Sequence, residues 1–264
     1  MPLFPILFIA FFLCLSGCQT HSHSDRPVLP EYKFEDRENT QADVNNAIAR
    51  ALAADKLLLL VLGAQWCHDS RGLAQQFSTD TMQTLLKSRF ETVFVNVGYY
   101  KDLRPLTTQF GYPGYFATPS VMVIDPKTKQ LLNMPTMAIW NTADSIPSND
   151  VFAYFESVGV DRLPPVNKDT EQYTQSQRIQ QFADTETERL FSGFELLGPM
   201  VQQAVDGQLQ DDTQLLALAD EIYAFRMALQ ADIHQLYQQL NSAASDDYKQ
   251  VIHFPTYGPF SWES

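Results

Sequence analysis

Cysteine is scarce: the 264 residues hold three, Cys14, Cys18 and Cys67, which excludes a disulfide framework and leaves each thiol to be explained separately. Basic residues are few as well. Eighteen Lys and Arg against 31 Asp and Glu give a formal net charge of −13, which opposes binding to phosphate backbones and to anionic membrane surfaces. No nucleic-acid partner is expected. The chain has no Gly-rich phosphate loop, zinc-type Cys/His spacing, Gly-x-Ser-x-Gly nucleophile or internal repeat, so no cofactor and no metal are implied. What is present is a 45% hydrophobic chain with 19% charged residues, enough to bury one large core or two smaller ones. An α/β domain with an accessory segment is the expectation.

Met1 to Gly17 carries no charge and is dominated by Phe, Leu and Ile, a run shorter than the roughly 20 residues a spanning helix needs. It reads as an export signal over residues 1–17, although no Lys or Arg precedes the apolar run. The run ends in Leu15-Ser16-Gly17-Cys18, which resembles the lipobox of bacterial lipoproteins. That resemblance implies lipidation at Cys18 (palmitate among the acyl groups), a membrane anchor and an envelope location facing the periplasm. Gln19, which is not Asp, favours the outer membrane. Residues 18–37 are polar and Pro-containing and read as a tether, with His21 and His23 part of its solvated stretch.

Thr40 to Asp55 sets Val44, Ala47, Ile48 and Leu52 on one helical face, with Thr40 or Asp43 as cap. Leu57 to Leu62 is continuously apolar and reads as a buried strand. A helix is expected from Cys67 to Phe77, and Ser78-Thr79-Asp80 suits the start of another through Leu86. Further strands are expected over Glu91 to Val97, Ser120 to Ile124 and Gln130 to Leu132, with helices over Leu103 to Phe110 and Asn149 to Val158. A thiol delivered by a strand to a helix start is biased towards thiolate, the form that attacks disulfides, because the first N–H groups favour negative charge.

This order, with Trp66-Cys67 before the second helix and Thr118-Pro119 before a strand, resembles the thioredoxin fold over residues 38–162. The resemblance implies a mixed sheet flanked by helices. It also implies a cis-proline at Pro119 facing a nucleophile at Cys67, and substrate-binding roles for Trp66, His68, Thr118 and Pro119. Two departures matter. The position of a resolving cysteine holds Ser70, and the buried carboxylate six residues before the nucleophile is replaced by Val61. Ser70 is expected to stabilise a Cys67 thiolate by a hydrogen bond but cannot displace a sulfur. A protonated His68 would favour the thiolate and Asp69 would oppose it.

After Pro164-Pro165 the composition turns polar, and residues 163–264 read as an α-helical accessory region. Ile179 to Leu197 suggests a helix ended near Gly198-Pro199, with Met200 to Val205 a shorter one. Leu215, Leu218, Ile222, Phe225, Leu229, Ile233, Leu236 and Leu240 make one amphipathic stripe that Asp211 or Asp212 could cap. The aromatic tail from His253 to Trp262 is expected to dock on the body. Two functions stay open. One is monothiol thiol–disulfide exchange with protein thiols or disulfides of the envelope, through a mixed disulfide at Cys67. The other is a non-catalytic scaffold whose groove beside Trp66 and Pro119 holds a protein segment.

Overall fold

The computed structural model describes residues 32–160, 167–168, 170–242 and 252–263. The expected export signal, Cys18, most of the tether and Pro164-Pro165 lie outside the described residues. No described helix is long and apolar enough to cross a membrane.

The sheet is built on β1 (Leu57–Gly63), whose seven residues are all buried. Its continuous apolar run follows from its central place: β2 (Phe90–Asn96) pairs with it in parallel on one side and β3 (Ser120–Ile124) antiparallel on the other. The parallel register runs from Leu57 opposite Phe90 to Gly63 opposite Asn96. Side chains alternate between two cores. Leu58, Leu60 and Leu62 join Val93, Val95, Met122 and Ile124 in one, and Leu57, Leu59 and Val61 join Phe90, Phe94, Val121 and Val123 in the other.

The second core is closed by α2 (His68–Phe77), α3 (Asp80–Arg89), a 3-10 segment (Met134–Ser145) and α5 (Ser148–Ser157). The first is closed by α1 (Thr40–Ala53) on one side. Asn39, rather than Thr40 or Asp43, caps α1, its side-chain oxygen accepting from the Ala42 N–H at 2.9 Å. Between β2 and β3 lies α4 (Arg104–Thr107), which tightens into a 3-10 turn over Thr108–Phe110.

The strand expected at Gln130 to Leu132 is a single bridge between Ile124 and Leu131. The reason is Asn133, whose side-chain oxygen accepts from the Val123 N–H at 2.8 Å and whose amide donates to the Val121 carbonyl at 2.9 Å. The Leu132 N–H still reaches the Val123 carbonyl at 2.8 Å and the Gln130 carbonyl accepts from the Asp125 N–H at 3.0 Å, and beyond them the Asn133 side chain takes the place of further backbone pairing. Tyr32 to Arg37, read from the sequence as the end of the tether, lies on the domain. Phe34 is buried, Tyr32 stacks on Phe94 at 5.0 Å, and the Arg37 Nε donates to the Phe94 carbonyl.

The accessory region is a hairpin of α6 (Glu171–Val205) and α7 (Thr213–Ser242). Where the sequence suggested a break at Gly198-Pro199, α6 continues through both residues. The apolar stripe Leu190, Phe194, Leu197 and Val201 runs unbroken past the proline, and its burial outweighs the one backbone bond Pro199 cannot make. The α7 stripe buries Ile222, Phe225, Leu229 and Ile233 in the same core as Leu58, Leu60 and Leu62. Asp211 stands before α7 and accepts from the Thr213 N–H. The tail docks: Phe260 packs on Phe225 at 4.2 Å, and Trp262 donates to the Arg189 carbonyl.

Candidate functional site

Cys67 occupies the residue before α2, with extended backbone (φ −84°, ψ 126°). Its N–H donates to the Ala64 carbonyl at 3.2 Å and its carbonyl accepts from Arg71 at 3.2 Å. That turn, between the C-terminal end of β1 and the first turn of α2, fixes the sulfur at the helix N-terminus. The Thr118–Pro119 peptide bond is cis, and the Cys67 thiol donates to the Thr118 carbonyl at 3.0 Å. Cys67 is 9% exposed, and among the described residues it is a free thiol. Trp66, Cys67, Thr118 and Pro119 are therefore brought together.

Ser70 is fully buried, and its Oγ accepts from the Ala64 N–H at 3.3 Å. Gly63 makes room for it: a Cβ at Gly63 would stand 2.6 Å from the Ser70 Oγ and from the Phe34 ring. In this structure Ser70 braces the turn that carries Cys67, and the thiol's own partner is Thr118. The expected serine–sulfur hydrogen bond is not the one formed.

His68 is exposed and faces two carboxylates, Asp69 at 3.2 Å and Asp144 of the 3-10 segment at 3.6 Å. Asp69 is buried, and its Oδ1 accepts from the Asp144 N–H at 3.1 Å. Burial pushes the Asp69 carboxyl up, and the hydrogen bond to the Asp144 side chain adds to the rise. That same bond holds the Asp144 carboxyl below its ordinary value. Asp69 is thus the more easily protonated of the two acids. Among the described residues, His68, Asp69 and Asp144 offer ligand atoms within 4.8 Å of one another. One Asp69 oxygen of that set is already taken by the Asp144 N–H.

The Trp66 indole N–H donates to the Gly98 carbonyl at 2.7 Å, and its ring leans on Tyr100 at 5.3 Å. Tyr100 in turn stacks on Phe194 of α6 at 4.6 Å. Burial pushes the Tyr100 phenol up, with charge on Cys67 adding to the rise and Arg226 of α7 acting against it. Sequence reasoning named Trp66 but missed Asp144 and Tyr100. Each lies on a different element from Cys67, and no spacing in the sequence links them to it. A cavity of about 720 Å³ opens elsewhere, between the Leu131–Pro135 stretch and the α6–α7 hairpin, and none of the Cys67 site residues lines it.

A parallel strand, a Trp-Cys turn into a helix, and a cis-proline against the thiol are the arrangement that the resemblance to the thioredoxin fold implies. Residues 38–126 match the family model described as thioredoxin-like. Among solved structures the chain is similar to a disulphide isomerase from Xylella fastidiosa Temecula1, at 23% identity and a TM-score of 0.42, over 47% of this chain and 95% of that one. No curated protein matches it.

Proposed function

We propose that the protein is a lipid-anchored envelope thiol–disulfide exchanger that works with one thiol. Cys67 as thiolate attacks one sulfur of a partner disulfide, forming a Cys67–S–S–R mixed disulfide and releasing the other sulfur as RS⁻. A second thiolate then attacks the partner sulfur, regenerates the Cys67 thiolate and leaves a new disulfide. Electrons and sulfurs balance without an added oxidant. Ser70 holds the turn that aims Cys67, and the Thr118-Pro119 backbone orients the partner's chain once the thiol releases the Thr118 carbonyl. The observation that carries this reading is the sulfur of Cys67 at the start of α2, 3.0 Å from the carbonyl that precedes the cis-proline.

The test is capture. The full chain, incubated with a small aromatic disulfide, should release one equivalent of aromatic thiol and gain the mass of one adduct at Cys67, and the Cys67→Ser variant should do neither. No adduct with the parent chain would leave the alternative standing: a scaffold whose settled thiol and packed rim hold a partner segment without chemistry. Anchoring rests on Leu15-Ser16-Gly17-Cys18. Labelled palmitate should enter the chain and fail to enter a Cys18→Ser variant.

A further inference from the structure

His68 and Asp69 open α2, Asp144 lies near the end of the 3-10 segment, and the two elements pack so that the three side chains meet. Gly72, one turn after His68, leaves the room: a Cβ there would stand 2.7 Å from the Asp144 Cβ and 2.9 Å from its Cα. One turn further on, the Gln76 amide donates to the Ile146 carbonyl at 3.1 Å and reaches the Ala143 carbonyl at 3.5 Å. The face of α2 that runs through His68, Gly72 and Gln76 therefore holds the 143–146 stretch in place.

Each carboxylate has one oxygen held and the other turned to the imidazole. Asp69 Oδ1 accepts from the Asp144 N–H at 3.1 Å, and Asp144 Oδ1 accepts from the Ser145 hydroxyl at 3.2 Å. The remaining oxygens, Asp69 Oδ2 and Asp144 Oδ2, lie 3.2 and 3.6 Å from one atom, His68 Nε2. Ligating carboxylates are oriented in this manner, an outer hydrogen bond fixing one oxygen and leaving the other to coordinate. The two carboxyl groups also meet side chain to side chain. Like groups in contact need a positive charge between them, either a proton or a cation.

The spacing selects the cation. A tetrahedral ion bonded to an imidazole nitrogen and carboxylate oxygens at about 2.0–2.2 Å sets those atoms about 3.3–3.5 Å apart, and the two distances from His68 Nε2 bracket that range. All three ligand atoms lie within 4.8 Å of one another. The His68 and Asp144 side chains are 70% and 36% exposed and the Asp69 side chain 10%, so an ion enters from solvent onto Asp69 as the floor and keeps one position open to water. Calcium takes six to eight oxygens and magnesium an octahedron of them, whereas one imidazole with two carboxylates suits zinc. We propose that His68 Nε2, Asp69 Oδ2 and Asp144 Oδ2 form a site for a divalent ion of the zinc class, with water as the fourth ligand. The site makes no use of the Cys67 sulfur and stands apart from the exchange chemistry proposed above.

A chain of net charge −13 gathers cations loosely over its surface, so the test is a difference. The full chain, stripped with a chelator, would be titrated with Zn²⁺ by calorimetry beside His68→Ala, Asp69→Asn and Asp144→Asn. Asp69→Asn retains an oxygen for the Asp144 N–H, which separates loss of a ligand from loss of the fold. Zinc taken up at His21, His23, His234 or His253 is common to all four proteins and cancels. The parent should bind one equivalent more tightly than each variant by at least about 100-fold, the upper end of what loss of an outer hydrogen-bond partner costs a metal site. Ser145→Ala, which removes such a partner, should cost about tenfold. Co²⁺ in place of Zn²⁺ should give the intense visible absorption of a tetrahedral ion in the parent and lose it in the same three variants. Equal zinc binding by the parent and His68→Ala would overturn the proposal. So would loss of the equivalent in Cys67→Ser, which would move the ion to the thiol, or displacement of Zn²⁺ by equimolar Ca²⁺ or Mg²⁺, which would reduce the site to loosely held charge.

Discussion

Replacing Gly198 by alanine sets two effects of opposite sign against each other. On helix propensity alone, Gly→Ala inside α6 should stabilise by about 1 kcal/mol. The structure gives the other sign. A Cβ at Gly198 would stand 2.2 Å from the Tyr99 carbonyl oxygen, about 1 Å inside an ordinary C–O contact. The carbonyl is main chain and a Cβ is fixed by its own backbone, so no rotamer change relieves it, and the hairpin must back away from the loop carrying Tyr100. Overpacking of this kind costs about 1–3 kcal/mol, and a clash with main chain belongs at the top of that range. The net loss is then about 2 kcal/mol, or a Tm lower by about 4–8 °C. Gln203→Ala, at an exposed position of the same helix, should change little. Thermal unfolding followed by circular dichroism decides it, and a Tm for Gly198→Ala equal to or above the parent's would refute the placement of α6 against Tyr99.

Three other outcomes are expected. Ser70→Ala leaves the buried Ala64 N–H without its acceptor and should cost about 1 kcal/mol in urea unfolding. Asp69→Ala orphans the Asp144 N–H and should cost about 1–3 kcal/mol, with Asp69→Asn recovering most of it. Because the Asp69 carboxyl is raised in the fold, its contribution is full below its ordinary range and is lost as pH rises through the raised value. The stability of Asp69→Asn relative to the parent should therefore climb as pH rises from the ordinary carboxylate range through the raised value, and a flat difference would contradict the raised carboxyl. Glu263, hydrogen-bonded to Arg189, is held down to about 2. Its contribution is present above its ordinary value and lost as pH falls towards about 2, so Trp262 emission should report release of the tail in acid and stay unchanged at neutral pH.

Local patterns carried much of the fold. The apolar run of Leu57 to Leu62, the alternation of Glu91 to Val97 and the stripe from Leu215 to Leu240 each announced an element, because burial on two faces, one face or one helical side leaves its own period in the residues. What could not be read was settled by contacts distant in sequence. Asn133 taking over part of the edge of β3 cut an expected strand to a single bridge, and a continuous stripe carried α6 across a proline. The site divides in the same way. Trp66, Cys67, Thr118 and Pro119 stood out through paired motifs, whereas Ser70 bonding Ala64 in place of the sulfur, Asp144 against Asp69 and Tyr100 between Trp66 and Phe194 depend on how separate elements pack.

The shared core also bears on how the protein is made. The core on the sheet face with Leu58, Leu60 and Leu62 takes residues from α1, from the segment holding Leu106, Phe110, Tyr115 and Phe116, and from α6 and α7. A chain synthesised from its N-terminus carries that core incomplete until Phe225 and Ile233 have followed. The nascent polypeptide, and any version stopped short of α7, is thus a sheet with part of one oily side exposed. It will depend on a chaperone or aggregate, and it will not behave as a smaller thioredoxin.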